Sequence, residues 1–280
     1  MSVLTEHAKP APRTLFSRVL VGIDSSEESR EAALQATALA EGQLTLLAVY
    51  GVGADFGVGT PIGIPVYYDG DLDREAAEDA LSRVRDDIAA ADPSGKVVRG
   101  VVWDALLREA EDEQKTLIAV GSHGVGRIAG ITLGAVATNV IHKAPCSVLV
   151  ARKRSDAFPR KIVVGVDGSP ESAAAYAVAK QLAERFETEL VAVVAHGGEP
   201  VNRNLVDPLV GHYREDLPDE PVPALVAASA DADLLVVGSR GLHGLKALGS
   251  VSEQVAHRAR SSVLIVREPT RERTNPEPPQ

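Results

Sequence analysis

The chain has 280 residues, 45% of them apolar and 24% charged, with a net charge of −10 at pH 7. That length suits two domains of ordinary size, and the apolar share is enough for two packed cores. The acidic balance argues against nucleic acid or an anionic membrane as the main partner, no apolar run reaches the length of a membrane span, and the single cysteine, Cys146, rules out an intramolecular disulfide and fits a reducing, cytoplasmic compartment.

Residues 1–15 lack the apolar core of a signal peptide and read as a flexible tail. The first apolar run, 18–23, predicts a strand that ends at Asp24. A helix follows, with Ser25 expected as its cap and Glu28 completing a capping box. Its inward positions (Ala32, Ala33, Ala36, Leu39, Ala40) are mostly small, which lets it lie close to a sheet. A second strand is predicted over 44–49. Residues 51–70 are rich in glycine and proline and read either as a lid or as a surface loop, the loop being the simpler reading. A charged helix (72–91), a strand (96–102), a helix (103–114) and a fourth strand (116–120) come next. A glycine-rich stretch from Gly121 to Ala135 leads into a helix over 136–142 and a fifth strand over 147–151. Cys146, just before that strand, reads as a buried small hydrophobe rather than a redox centre. Strands alternating with helices imply a parallel, doubly wound sheet.

After a short linker, 152–160, the pattern repeats. Val19-Leu20-Val21-Gly22-Ile23-Asp24 matches Ile162-Val163-Val164-Gly165-Val166-Asp167, and His142-Lys143-Ala144 matches His257-Arg258-Ala259. Ser169 is expected to cap the first helix of this half, with Pro170 in its first position. A second strand is predicted over 189–195, a fourth over 233–237, a helix over 251–260 and a fifth strand over 261–266. Asp24 and Gly121 are 97 positions apart, Asp167 and Gly238 only 71, so this half is 26 residues shorter between its second and fourth strands. Residues 196–221 show no good strand, so the second helix and third strand of this half are expected to be reduced or lost. If the order is 3-2-1-4-5, strand three is an outer edge, and its loss breaks no central pairing.

In an open parallel sheet, ligands bind beyond the carboxyl ends of the strands, where the winding reverses. Here that place lies between strands one and four. Asp24 or Asp167 ends strand one, and a glycine-rich stretch ends strand four. A carboxylate accepts hydrogen bonds from hydroxyl or amino groups, and a nest of backbone N–H groups at a helix start attracts phosphate. Together they suit a nucleotide. The alternatives stay open: each aspartate as a helix cap, and each glycine stretch as a tight connection that binds nothing. His123, Arg127, Arg240, His243 and Lys246 are either phosphate-neutralising or simply solvated.

From Arg18 to Arg267 the pattern resembles the universal stress protein family in its tandem two-domain form. The resemblance implies two doubly wound parallel-sheet domains of order 3-2-1-4-5, like the adenine nucleotide α-hydrolases, over 16–152 and 160–268, the second trimmed near strand three. It implies that the two fifth strands pair antiparallel across a pseudo-two-fold axis. ATP-binding relatives carry Gly-x2-Gly-x9-Gly-Ser/Thr. The first half has Gly121, Gly124 and Gly134 at that spacing, but Ala135 stands in the hydroxyl position and Ala137 also lacks one. The second has Gly238, Gly241, Gly249, Ser250, Val251 and Ser252, with its last spacing shortened to x7. With Asp24, Val49 and Asp167 these are the expected ligand contacts. The expected cofactor is ATP, with or without Mg, and the expected assembly is a monomer or, preferably, a homodimer with further protein partners unnamed. A valine at Gly124 or Gly241 is expected to fill the nest and to oppose a positive φ. No catalytic constellation is visible, so at most slow ATP hydrolysis is implied. The rival is an interaction module of the same fold that binds no nucleotide. An α-hydrolase-type enzyme is a third reading, weakened because no Ser-Gly-Gly-x-Asp loop follows strand one. Residues 269–280 are polar and proline-rich and read as a second flexible tail.

Overall fold

The computed structural model describes residues 14–51, 70–110, 116–124, 133–152, 157–196, 202–210, 214–239 and 251–267. The predicted tails, apart from Thr14 and Leu15, and most of the 51–70 loop lie outside the described residues; Leu15 packs on the core and donates its N–H to Glu41. The first half runs β1 (Arg18–Ile23), α1 (Glu27–Leu39), β2 (Gln43–Gly51), α2 (Gly70–Asp87), β3 (Ser94–Gly100), α3 (Val102–Ala110), β4 (Thr116–Gly121), α4 (Ala135–Lys143) and β5 (Ser147–Ala151). The second runs β6 (Lys161–Gly165), α5 (Pro170–Phe186), β7 (Glu189–Ala195), α6 (Arg203–Val210), β8 (Arg214–Leu217), α7 (Pro221–Ala228), β9 (Leu234–Gly238), α8 (Val251–Arg258) and β10 (Ser262–Val266).

These strands form one ten-stranded sheet, ordered β3-β2-β1-β4-β5-β10-β9-β6-β7-β8. Each half is therefore 3-2-1-4-5, as the resemblance implies. Pairing is parallel within each half. The two fifth strands meet antiparallel, with Leu264 opposite Leu149 and Val263 opposite Val150. Both strands are apolar and fully buried, and joining them removes an edge that would otherwise invite foreign strands.

Side chains alternate across the sheet, so a run such as Val19-Leu20-Val21 feeds two cores. Val19, Val21 and Ile23 pack under α1 and α2, while Leu20 joins the layer of α3 and α4. Each apolar layer contains residues of both halves, for example Leu46 with Val164 in one and Ile118 with Leu235 in the other. The two repeats thus share their cores.

The capping expectation needs correction. The first helix is capped by Ser26, whose side chain accepts from the Ser29 N–H; Ser25 lies one residue outside and Glu28 completes no capping box. The duplicated arrangement at Ser169, with Pro170 at the helix start, is as predicted. Ser26→Ala or Ser169→Ala should each lower stability by about 1 kcal/mol, read as a shift of the urea midpoint at constant slope; an unshifted midpoint in both would show that the caps carry nothing.

The expected trimming of the second half is a reduction and not a loss. Strand three is shortened but present, although residues 196–221 show no good strand in sequence: β8 pairs in parallel with the end of β7, from Ala192–Arg214 to Ala195–Leu217. Its sequence, Arg-Glu-Asp-Leu, is too charged to read as a strand, but an outermost strand needs backbone bonds on one side only and tolerates charge. The second helix is likewise reduced to α6, eight residues against eighteen in α2.

Candidate functional site

β1 and β4 are neighbours at the centre of the first half, paired from Arg18–Thr116 to Val21–Ala119. Their carboxyl ends carry Asp24 and the start of the glycine-rich stretch. Asp24 is half-buried. Its Oδ1 accepts from the Ser26 N–H at 2.9 Å and from the Ser26 hydroxyl. The aspartate is thus not the cap itself; it holds the serine that is. Its other oxygen faces Gly124: a Cβ built on Gly124 would lie 2.5 Å from Asp24 Oδ2. Val49 sits at the same edge one strand away, just past the Ile23–Ala48 pair.

The Gly134 N–H donates to Ser122 O at 2.8 Å, which folds the start of α4 back onto the end of β4. Gly134 is the N-cap of α4 and supplies no side-chain hydrogen bond. Thr138, one turn on, donates its hydroxyl backwards to Gly134 O at 3.0 Å. Asp24, Gly121, Gly124, Gly134 and Ala135 are therefore gathered at one place. The first turn of α4 presents backbone N–H groups there without the serine that caps α1 and α5, which is the arrangement that favours an anion. His123 lies beside it, its Nδ1 3.2 Å from Ser122 Oγ.

The glycines differ in why they are needed. Gly121 and Gly238 are contacts of helices, not of the nest. A Cβ at Gly121 would lie 2.7 Å from the Glu28 carbonyl carbon, and one at Gly238 would lie 2.5 Å from Glu171 O. They let α1 and α5 press onto the sheet. At Gly124 the expected positive φ is absent; the constraint there is the space taken by Asp24.

In the second half Asp167 repeats the local pattern, with Oδ1 accepting the Ser169 N–H at 3.0 Å, but it is exposed. Gly168 has φ +81°, and Leu205 of α6 packs directly over it. Ser252, in the first turn of α8, is buried and Val251 is exposed. Gly241, Gly249, Ser250, Arg127, Arg240, His243 and Lys246 lie outside the described residues. Among the described residues no cluster of three or more His, Cys, Asp or Glu side chains could hold a metal, and no helix is long and apolar enough to cross a membrane. Burial pushes the Cys146 thiol up to about 12, which suits an inert, packed cysteine.

The sequence profile of the universal stress protein family matches residues 15–152 and 206–267. Universal stress protein Rv2005c of Mycobacterium tuberculosis is 33% identical, over 89% of this chain and 97% of that one. The chain belongs to the universal stress protein family. Another relative, universal stress protein Rv2623 of the same organism, is 30% identical over 89% of this chain and 96% of its own length. In fold, the chain is similar to the crystal structure of a universal stress protein from Archaeoglobus fulgidus, with TM-score 0.69 and 22% identity over 91% of this chain and 99% of that one.

Four residues of this universal stress protein join the two halves, a role that the sequence alone does not mark. Arg152 and Arg267 each follow a fifth strand, and each reaches into the other half. Arg152 donates to Ala256 O at 2.5 Å and Ser261 O at 3.3 Å; Arg267 donates to Ile141 O and Ala144 O. His142 and Glu253 meet between α4 and α8 at 2.7 Å. The repeated His142-Lys143 and His257-Arg258 pairs were the available signal; Arg152 looked like a linker residue.

Proposed function

We propose that this universal stress protein is a cytoplasmic, nucleotide-responsive regulator. It binds ATP, with or without Mg, at the carboxyl edge of its sheet, through two domains spanning 16–152 and 160–268. The single observation that carries this is the start of α4. Its N-terminal turn has no side-chain cap and sits beside Gly124 and the Asp24 carboxylate at the point where the winding reverses. The nest would hold phosphate, and Asp24 would accept from the adenosine hydroxyls or amino group. Asp24 is already oriented by Ser26, so it needs no rearrangement to receive them. Nothing among these groups is placed as a dedicated base, so the reading is of a binder rather than an enzyme.

A second reading, an interaction module that binds no nucleotide, is favoured by Ala135 and Ala137, which leave the α4 start without a hydroxyl for phosphate. The missing hydrogen bond should weaken binding by about 1 kcal/mol, not abolish it. Calorimetry decides. The wild type should bind ATP at millimolar concentration or tighter, and Gly124→Val together with Gly241→Val should weaken it by about tenfold or more. No heat of binding to the wild type would establish the interaction module instead. Equal binding by the folded double variant would place ATP elsewhere.

A further inference from the structure

The two halves differ in what covers the start of their second strands. In the first half α2 lies along β2, and its Ala80, Leu81 and Val84, with Ile88 just beyond, share one apolar layer with Leu44 and Leu46. Leu44 is only 4% exposed. In β7, Glu189 holds the register place of Gln43, so Leu190 is the counterpart of Leu44. Leu190 is only partly buried. α6 packs on α5 and ends at Val210, and β8 first pairs with β7 at Ala192, beyond Leu190. An open groove of about 320 Å³ is left between α5 and the start of β7. Its lining includes apolar Tyr176, Ala183 and Leu190 and charged Lys180, Glu184 and Glu187. Leu190 pairs with Ile162 at the start of β6, so the groove lies at the sheet edge opposite to Asp167.

The repeat itself shows what such a groove accepts. In the first half the same place is taken by the end of an amphipathic helix, with Leu81, Val84 and Ile88 recurring at helical spacing on the covered face. The charges show how the occupant differs. Glu41, after α1, is met by Arg185 of the other half at 3.2 Å. Its counterpart, counted from the capping serines, is Glu184. Among the described residues neither Glu184 nor Glu187 has an ion-pair partner, and both are exposed. Lys180 offsets only one of these two carboxylates, so the groove is net negative.

We propose that this groove docks a basic amphipathic helix of a partner protein, which takes the place that α2 takes in the first half. Apolar side chains at the spacing of Leu81, Val84 and Ile88 meet Tyr176, Ala183 and Leu190, and lysine or arginine on the flanks meets Glu184 and Glu187. Docking completes the burial of Leu190 and gives both carboxylates partners. The proposal is independent of the nucleotide reading.

The test uses the full chain and a fluorescent peptide of about sixteen residues, long enough for a marginal helix. It carries leucine, valine and isoleucine at the spacing of Leu81, Val84 and Ile88, with lysine, arginine and alanine elsewhere. A scrambled peptide of the same composition measures bulk attraction to the acidic chain. By anisotropy the ordered peptide should bind with a Kd of about 100 μM or tighter, and the scrambled one about tenfold more weakly. Glu184→Lys together with Glu187→Lys should weaken the ordered peptide by about tenfold, and Leu190→Gln alone by about as much. Glu75→Lys together with Asp79→Lys, an equal change of charge at exposed positions of α2, should leave binding within about twofold. If Leu190→Gln unfolds the chain, the two charge variants decide. Equal binding of the two peptides, an equal loss in the α2 variant, or no binding to the wild type at about 1 mM overturns the proposal. A wild-type dimer that separates on Glu184→Lys with Glu187→Lys, seen by light scattering without peptide, also overturns it and assigns the groove to a second copy of this chain.

Discussion

Arg267→Ala is expected to lower the unfolding free energy by about 3 kcal/mol. The guanidinium is largely buried, and burial holds it below its ordinary value. Among the described residues it has no carboxylate partner. Its charge is instead met by the carbonyls of Ile141, Ala144 and Cys146 at the end of α4, where the helix dipole is negative, and by Ser239 Oγ. Truncation leaves those acceptors facing a cavity and removes a link between the halves. Arg267→Lys should recover less than half of the loss, because one ammonium cannot reproduce a planar fork bonded on three sides. Urea unfolding measures both. A loss below about 1 kcal/mol for the alanine variant would mean that water replaces the guanidinium without cost.

The second large effect is expected at Gly238. A single methyl there would stand 2.5 Å from Glu171 O and 2.6 Å from Glu171 C. That atom pair is backbone in the first turn of α5, so relief requires lifting the helix from the sheet. Gly238→Ala should cost about 3 kcal/mol, and Gly121→Ala, which meets Glu28 at 2.7–2.8 Å, about the same. For a chain of this size that is a drop of roughly 5 °C in Tm. Gly124 is the contrast: its neighbour is a side-chain oxygen of Asp24 and not helix backbone, so a side chain there should displace that carboxylate, change ligand binding and cost less stability than at Gly238. Equal losses of Tm at Gly124 and Gly238 would erase the distinction between packing and binding glycines.

Much of this architecture is legible in the chain itself. Duplicated apolar runs ending in Asp24 and Asp167 place the central strands, because a strand buried on both faces must be apolar throughout. The same logic finds β5 and β10. It fails at the rim of the second half for β8, a charged edge strand bonded on one side only, and for α6, a short helix that carries Pro208 and buries only Val206 and Val210. At the candidate site, glycine spacing identifies the right segment but not the separate duties of its glycines. Gly121 is set by a helix that is distant in sequence, and Gly124 by the Asp24 side chain. Contacts between repeats, such as Arg152 with Ala256, Arg185 with the carbonyls of Ala38, Leu39 and Ala40, and His142 with Glu253, depend on which helix ends the sheet brings together, and no local pattern encodes that.

The antiparallel join of β5 to β10 has a consequence for how the molecule meets its surroundings. The carboxyl ends of β1 and β4 leave one side of the sheet, and those of β6 and β9 leave the opposite side. A rigid bivalent molecule approaching from one direction can reach only one of the two mouths. Whatever meets the carboxyl ends of β1 and β4 therefore meets the opposite edge of the same rigid sheet from whatever meets those of β6 and β9.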